Sequence, residues 1–361
     1  MKNEPQAHSA PAASAPETSR ARRIMIVTDA WDPPQVNGVS LTYQDTAAQL
    51  RAWGHDVQVI HPGSYPAKWF RIPHDNVDVV REKGLAGRTL DAFDPHHVHI
   101  ATEGPIGLAA RRHCLRRKWR FTTAYHTQWP EYAQWRSKGL APVWLGYQLV
   151  RRFHAPASRV MTTTPAMADA LRAHGFSQPI TIWTRGVDNN LFKPRPPGER
   201  PPELAGCTVP VALSVGRIAR EKNIPAFLEA PFDGLKVVVG EGPRLAELRR
   251  RHPKVLFPGL KRGVELARWY AAADLFVFPS RTDTFGKVLI EALSCGTPVA
   301  AFDCDAPRFV LGQSGAGVLH NDLGQAMSLA LGINPVLCLE HAARFSISGA
   351  TRQFLEGLVD R

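Results

Sequence analysis

Two acidic residues eight positions apart, Asp283 and Glu291, flank a turn that could hold a phosphate. The turn, Thr284-Phe285-Gly286, follows an apolar run that predicts a buried strand and precedes a helical pattern. The first N–H groups of a helix have no partner within it and favour an anion, and a glycine lets a phosphate approach the backbone. A carboxylate on each side of such a phosphate site suits the hydroxyls of two sugars, the ribose of a nucleotide and a hexose attached to it. The alternative is an ordinary crossover helix with one solvated acid.

Two cations follow another predicted strand. The sequence after residues 209–215 reads Gly216-Arg217 and then Lys222-Asn223. Arginine can bind a pyrophosphate through two hydrogen bonds and lysine supplies a point charge, so this loop fits a pyrophosphate ligand. Two solvated loop cations are the alternative interpretation.

A histidine, His126, ends the predicted strand 121–125. The carboxyl ends of parallel strands are the ligand side of an open α/β sheet, which favours a functional role over a structural one. The aromatic residues that follow, Trp129, Tyr132 and Trp135, either line an acceptor cleft, contact a lipid interface or pack between loop and helix.

The elements that position these residues alternate between strand and helix. A strand over 23–28, a helix from Gly38 to Trp53 and a strand over 56–60 form a βαβ start, which predicts a right-handed parallel sheet. The same alternation recurs in the second half, after a Pro-rich and charged linker. The expected fold is α/β, with two doubly wound, Rossmann-like domains facing a cleft. The predicted segments are a disordered tail (1–21), an acceptor-side domain (22–194), a linker (195–206), a nucleotide-sugar-binding domain (207–345) and a terminal helix that packs back on the first domain (346–361).

Composition narrows the functional class. The chain has 361 residues, 44% of them apolar, and a formal charge of +12, which suits nucleic acid, anionic lipid or a phosphorylated substrate. No nucleic-acid-binding module is recognisable, so nucleic acid is not expected as a partner. The first twenty residues lack the apolar core of a signal peptide, no run is long enough for a membrane span, and the five scattered cysteines indicate a reducing cytoplasm.

Basic residues cluster in the predicted helix 105–118, where the charges are Arg111, Arg112, Arg116, Arg117 and Lys118. A solvated helix face is the favoured interpretation, and attraction to the inner, anionic face of a membrane is the alternative.

Neither a redox cofactor nor a metal is expected. Gly240 and Gly242 supply only two of the three glycines of a dinucleotide motif, which argues against NAD. A metal-binding Asp-x-Asp pattern flanked by apolar residues does not occur. Asp303 and Asp305 have that spacing but follow a strand of the second domain.

The stretch from Asp283 to Glu291 resembles the Glu-x7-Glu region of retaining GT-B enzymes, in particular glycosyltransferase family 4. The resemblance covers nearly all of residues 22–358. It includes the sequence segments PPQVNGV, YHTQWPEY, RGVD followed by F.P, GR…KN and G.GP. The family usually has Glu at the position of Asp283, so the reach of this carboxylate is shorter by one methylene.

The resemblance implies a role for each matching residue. Asp283 and His126 would touch the donor hexose, Glu291 would hold the ribose, and Arg217 and Lys222 would bind the diphosphate. The remaining donor-binding residues it implies are Gly38 in the loop over the phosphate, Arg185 across the cleft, Gly240 and Gly242 near the nucleotide, Leu260 at the base, and the turn Thr284, Phe285 and Gly286.

The implied activity is transfer of a mannose- or glucose-type hexose from a GDP- or UDP-linked donor to a lipid-linked or glycan acceptor. It would proceed with retention, without a metal, in a cytoplasmic or peripheral membrane enzyme. Two alternatives stay open at this point. One is a GT-B sugar-nucleotide epimerase, and the other is a non-catalytic protein that binds nucleotide sugars.

Overall fold

The computed structural model describes residues 20–31, 37–66, 68–72, 77–137 and 139–361. The predicted tail, residues 1–21, lies outside the described residues except for its last two positions. The strands are β1 (Arg23–Val27), β2 (Asp56–Ile60), β3 (Lys68–Ile72), β4 (Val77–Val80), β5 (His97–Ile100), β6 (Thr122–Tyr125), β7 (Arg159–Thr162), β8 (Ile180–Ile182), β9 (Val211–Val215), β10 (Leu235–Val239), β11 (Leu256–Gly259), β12 (Leu275–Phe278), β13 (Val299–Ala301) and β14 (Gly317–Leu319).

The helices alternate with these strands. They are α1 (Gly38–Ala52), α2 (Leu85–Phe93), α3 (Pro105–Arg117), α4 (Trp129–Arg136), α5 (Val143–His154), α6 (Pro165–Ala173), α7 (Ile224–Glu229), α8 (Leu245–Arg251), α9 (Gly263–Ala272), α10 (Lys287–Ser294), α11 (Asp305–Leu311), α12 (Leu323–Ala330), α13 (Pro335–Ala342) and α14 (Ile347–Gly357).

Two six-stranded parallel sheets form the two lobes. The first has the order β2-β1-β5-β6-β7-β8 and the second the order β11-β10-β9-β12-β13-β14. Every residue of the central strands β5, β6 and β12 is buried, because helices cover both faces of a doubly wound sheet. The predicted fold class, two Rossmann-like domains in the GT-B arrangement, is confirmed.

The sequence analysis missed several elements. The antiparallel pair β3–β4 and the helices α2, α4 and α11 were not predicted. The predicted linker, 195–206, contains two short 3-10 turns and buries Leu204 against the core of the second lobe.

The chain crosses back to the first lobe at its end. Phe354, Leu355 and Leu358 pack with Tyr43 and other core residues of the first lobe. Nearer the crossing, the Val187 amide donates to the Phe345 carbonyl at 2.8 Å. The terminal segment therefore fastens the second lobe to the first.

Among the described helices, none is by itself long and apolar enough to cross a bilayer. The bent pair α12 and α13, which meet at 103°, passes that test of length and composition only when taken together.

Candidate active site

The carboxyl ends of the two sheets meet at a crevice. In each sheet the strand order reverses beside the first strand, between β1 and β5 and between β9 and β12. Ligands of open α/β sheets bind at such switch points. A polar cavity of about 50 Å³ is lined from both lobes, by Gln128 and Thr164 of the first and by Asp283 and Thr284 of the second.

Lys222 and Asp283 form an ion pair in this crevice. The ammonium donates to both carboxylate oxygens, at 2.6 and 2.8 Å, from a short 3-10 turn after β9. Burial works to lower the pKa of Lys222, but the neighbouring carboxylate outweighs burial and raises it. The cation and the acid that the sequence assigned to a pyrophosphate and a sugar are thus in contact, 61 residues apart in the chain.

The turn between Asp283 and α10 is built around Gly286. This residue has φ +80°, which favours glycine, and a Cβ there would lie 3.0 Å from both Phe278 and Leu289. Phe285 is buried beneath the turn, and Gly286 occupies the position before the first residue of α10. No side-chain hydrogen bond caps this helix start, so the first N–H groups of α10 have no side-chain partner among the described residues.

Glu291 is buried inside α10. The Tyr270 hydroxyl donates to its Oε2 at 3.0 Å, and burial raises the pKa of the carboxyl group although the Lys287 ammonium opposes that rise. Tyr270 therefore occupies one carboxylate oxygen and orients the other.

His126 lies at the centre of a buried hydrogen-bond chain. Its Nδ1 is 2.7 Å from Arg185 Nη2 and its Nε2 is 2.7 Å from Tyr43 Oη. Because a guanidinium can only donate, Nδ1 carries the lone pair and Nε2 carries the hydrogen. Tyr43 then donates to His99 Nε2 at 2.8 Å, and His99 Nδ1 donates to Thr122 at 2.8 Å.

This chain of hydrogen bonds contains His126 in its neutral form. Burial, together with the charge of Arg185, lowers the pKa of His126 well below its ordinary value. Both ring nitrogens are engaged, so a contact to the donor hexose, the role implied by the resemblance, requires His126 to release Tyr43 or Arg185. The main chain of His126 also joins the lobes, because its carbonyl accepts from the Thr284 hydroxyl at 2.7 Å.

The two arginines assigned to the diphosphate lie in different settings. Arg185 is 5% exposed, its guanidinium stacks over Trp183, and burial lowers its pKa to about 10. In this structure it supports His126. The Arg217 side chain is about one third exposed, with Nη1 3.6 Å from Glu221.

The predicted glycines divide by what surrounds them. Gly38 begins α1 in open space, so a ligand can approach the backbone there. Gly240 has φ +146°, and a Cβ on it would overlap the Gly216 carbonyl, while a Cβ on Gly242 would overlap the Ile218 carbonyl. These two glycines bring the loops after β9 and β10 together. Leu260, at the end of β11, is 43% exposed.

Several residues of the site escaped the sequence analysis. Tyr43, His99 and Tyr270 orient the predicted acids and histidine, but they lie inside regular helix or strand patterns and carry no local signal. Thr163 also donates to the Thr284 carbonyl at 2.7 Å, across the lobes. Within the described residues no group of three or more His, Cys, Asp or Glu side chains is arranged to hold a metal ion.

Comparison with known families gives two matches. Residues 36–191 match the family described as Glycosyltransferase Family 4, and residues 209–334 match the family described as Glycosyl transferases group 1. A GDP-mannose-dependent alpha-mannosyltransferase of Mycobacterium tuberculosis is 31% identical over 82% of this chain and 83% of the relative. An alpha-monoglucosyldiacylglycerol synthase of Streptococcus pneumoniae is 28% identical over 77% of this chain and 70% of the relative.

Solved structures share the fold. A sucrose-phosphate synthase of Thermosynechococcus elongatus superposes with a TM-score of 0.73 at 19% identity, covering 93% of this chain and 98% of the other. The Anabaena protein HepE, in complex with UDP-glucose, superposes with a TM-score of 0.68 at 17% identity and the same coverage.

Proposed function

Because the chain belongs to the group 1 and family 4 glycosyltransferases and is a hexosyltransferase of the GT-B fold, we propose that it transfers a mannose- or glucose-type hexose from a GDP- or UDP-linked donor, with retention and without a metal. The observation that carries this proposal is the pairing of Lys222 with Asp283 beside the uncapped start of α10. The comparisons lend no support to the epimerase or the non-catalytic binding protein.

The geometry suits a donor whose binding replaces the ion pair between Lys222 and Asp283 with contacts from each residue to the donor. A diphosphate takes Lys222 away from Asp283, and the freed carboxylate then accepts from the hexose hydroxyls. Arg217, Lys222 and the backbone of Thr284 to Gly286 stabilise the charge of the leaving group. Glu291 holds the ribose with the oxygen that Tyr270 leaves open.

Transfer breaks the bond between the anomeric carbon and the phosphate oxygen and forms a bond to the acceptor oxygen on the same face. The acceptor proton passes to the departing phosphate, so no protein nucleophile is required. The cations take the place of a metal because they neutralise the negative charge that develops on the diphosphate.

A panel of GDP, UDP, ADP and their hexose conjugates tests the donor by thermal shift, since a ligand that binds only the folded state raises its melting temperature. We expect a shift with GDP-mannose or a UDP-hexose that persists in EDTA, and a product with the anomeric configuration of the donor by NMR. A shift abolished by EDTA would contradict the metal-free proposal, and an inverted product would contradict retention.

The acceptor is proposed to be lipid-linked and reached at an anionic membrane surface. Around α5 the exposed apolar side chains are Leu140, Trp144, Leu145 and Leu149. The exposed cations of α3 and α5 are Arg112, Arg116, Arg117, Lys118, Arg151 and Arg152. Arg111 joins the two helices by donating to the Arg152 and Phe153 carbonyls at 2.9 and 2.7 Å. We call this set the basic-apolar face.

Other aromatic residues considered for this role are placed differently. Trp129 is half-buried and packs against α5, and Tyr132 donates to the Thr282 carbonyl at 3.3 Å. The side chain of Trp135 lies outside the described residues. The exposed tryptophan of the basic-apolar face is Trp144, 61% exposed.

Sedimentation with liposomes tests the membrane proposal. Each basic residue near an anionic surface contributes about 1 kcal/mol to the free energy of membrane binding. Salt screens this electrostatic attraction. We expect binding to vesicles containing phosphatidylglycerol at low salt, release at high salt, and loss of binding in a Trp144→Ser/Leu149→Ser variant. Binding that is absent or insensitive to salt would contradict the proposal.

A further inference from the structure

A second cavity lies wholly within the first lobe, where β1, β5 and β6 end. Its volume is about 220 Å³, room for several non-hydrogen atoms of a ligand. The polar residues that line it are Asp29, Asn37, Thr102, Glu103, His126 and Thr127. His126 is the one lining residue that is also a predicted donor residue, so the cavity adjoins the proposed donor site.

Three polar side chains of this cavity are fully engaged. Asp29 accepts from the amides of Ile106 and Gly107 and from the Thr102 hydroxyl, and so caps α3. The Thr102 hydroxyl in turn accepts from the Asp29 amide at 2.7 Å. His126 uses both ring nitrogens, as described above. These groups shape the cavity but have little capacity to bind a ligand.

Glu103 is different because a buried histidine binds one of its two carboxylate oxygens. Its Oε1 accepts from Nε2 of His154 at 3.1 Å, and His154 Nδ1 is 2.8 Å from the Thr123 hydroxyl. The His154 side chain is fully buried, whereas that of Glu103 is 24% exposed. Its other oxygen, Oε2, has no protein partner in the described part of the chain. A buried histidine thus fixes a carboxylate at the cavity wall, with one oxygen left to accept.

Two donors complement this acceptor. Asn37 uses its side-chain oxygen to cap α1, accepting from the amides of Val39 and Ser40 at 2.9 Å, which leaves its NH₂ group to donate. The Thr127 hydroxyl has no partner among the described residues and can both donate and accept. One open acceptor, one open donor and one hydroxyl therefore line the same 220 Å³ space.

We propose that Glu103, Asn37 and Thr127 form the subsite for a sugar or polyol group of the acceptor, with Glu103 accepting a hydrogen bond from one of its hydroxyls. Neutral hydroxyls satisfy both the carboxylate and the amide, since each hydroxyl donates and accepts. An anion would be repelled by Glu103 and Asp29, and an ammonium group offers nothing to the Asn37 amide. The proposal rests on the proposed function and adds to it the chemical class of acceptor.

Saturation-transfer NMR with methyl α-D-mannopyranoside, on the protein saturated with GDP or UDP, tests this subsite. We expect binding to the wild-type protein and at least about tenfold weaker binding in Glu103→Gln, which keeps the bond to His154 but turns an amide toward the cavity. Thr127→Val, which removes the hydroxyl from the cavity wall, should weaken sugar binding by a smaller factor. Nucleotide affinity, measured by calorimetry, should stay within about twofold in both variants.

Asp91→Asn is the matched control, because Asp91 also pairs with a histidine, His113, at 3.0 Å, but away from the cavity. Sugar binding should be unchanged in this variant. A wild-type protein that binds nucleotide but no sugar, or a Glu103→Gln variant that binds sugar normally, would overturn the subsite. Absence of nucleotide binding would instead overturn the proposed function.

Discussion

Lys222 and Asp283 neutralise each other while the donor is absent. Their contact, at 2.6 Å, satisfies two charges that would otherwise lie half-buried without a partner. Under the proposed function a diphosphate must compete with Asp283 for the ammonium, so the ion pair would also select against weakly charged ligands. His126 is likewise satisfied by protein partners, since Arg185 and Tyr43 occupy both ring nitrogens.

Replacement of Lys222 by alanine should remove the charge that stabilises the departing diphosphate. We expect turnover to fall by about a hundredfold or more, the scale of losing one such donor. Steady-state kinetics with the donor identified by thermal shift measures this. Arg172→Ala, which removes an exposed cation paired with Asp169, is the control and should retain activity. Near-normal turnover in Lys222→Ala would remove Lys222 from the diphosphate site.

Acid should destabilise the protein through its buried histidines. Burial lowers the pKa of His99 to about 3, so between that value and its ordinary pKa of 6.5 the unfolded chain binds a proton that the folded chain does not. The free energy of unfolding therefore keeps its full value with respect to His99 above pH 6.5. Below that pH it falls by about 1.4 kcal/mol per pH unit for this residue.

Thermal melts between pH 7 and pH 5.5 measure that loss. His99→Asn should show a flatter dependence on pH than the wild-type protein, since asparagine does not titrate in this range. His320→Asn, at an exposed position, should keep the wild-type slope. Equal slopes in the wild-type protein and His99→Asn would show that His99 is not held neutral.

Among the structural elements, the loops that follow the strands determine the shape of the crevice. After β9 and β10 the loops touch backbone to backbone, with the Ile218 amide donating to the Glu241 carbonyl at 2.8 Å. The turn before α10 uses Gly286 for the same purpose. Each glycine allows an approach that a side chain would block, and in this way the sheet edge stays open to a ligand.

Gly240→Ala should therefore destabilise the second lobe. The position has φ +146°, and the added Cβ would overlap the Gly216 carbonyl. We expect a loss of about 1–3 kcal/mol in the free energy of unfolding by urea, typical of strain at such a position. Gly332→Ala, where a Cβ meets no atom within 4 Å, is the matched control and should be nearly neutral. A stable Gly240→Ala protein would mean that the loops separate at little cost.

Hydrogen bonds and an ion pair join the two lobes across the crevice. Thr284 bonds to both His126 and Thr163, and Lys287 of α10 donates to Asp45 of α1 at 2.6 Å. Because Lys287 begins the helix that follows the turn Thr284 to Gly286, this ion pair links the proposed donor site to the first lobe. The closed arrangement of the whole molecule thus depends on hydrogen bonds that a rotation of the lobes would break.

Asp45→Asn should favour a more open molecule. The Lys287 side chain is 12% exposed, so loss of its carboxylate partner leaves a largely buried charge unpaired. We expect a larger radius of gyration by small-angle X-ray scattering and a donor Kd raised about three- to tenfold, or roughly 0.7–1.4 kcal/mol. Asp169→Asn, at an exposed pair within α6, is the control. Unchanged scattering and affinity would argue that the other contacts suffice.

The sequence by itself determined the alternation of strands and helices, and with it the fold class. Strand β2 begins and ends at the predicted residues, and helix α1 begins at the predicted Gly38 and ends one residue before the predicted Trp53, because apolar periodicity and glycine act within a few positions. Lys222, Asp283 and Glu291 were also predicted as site residues from local sequence motifs, and the structure places Lys222 and Asp283 in contact. The pair β3–β4 was missed because its short strands lack a signal of comparable length.

Only the tertiary structure decided which side chains meet. Tyr43 and His126 are 83 residues apart and Thr284 and His126 are 158 apart, yet each pair is joined by a hydrogen bond. Such contacts depend on the order and register of strands and on how the two sheets face each other, which local spacing does not encode. For the same reason the sequence did not show that Arg185 supports a histidine, nor that His154 holds Glu103 at the wall of a cavity.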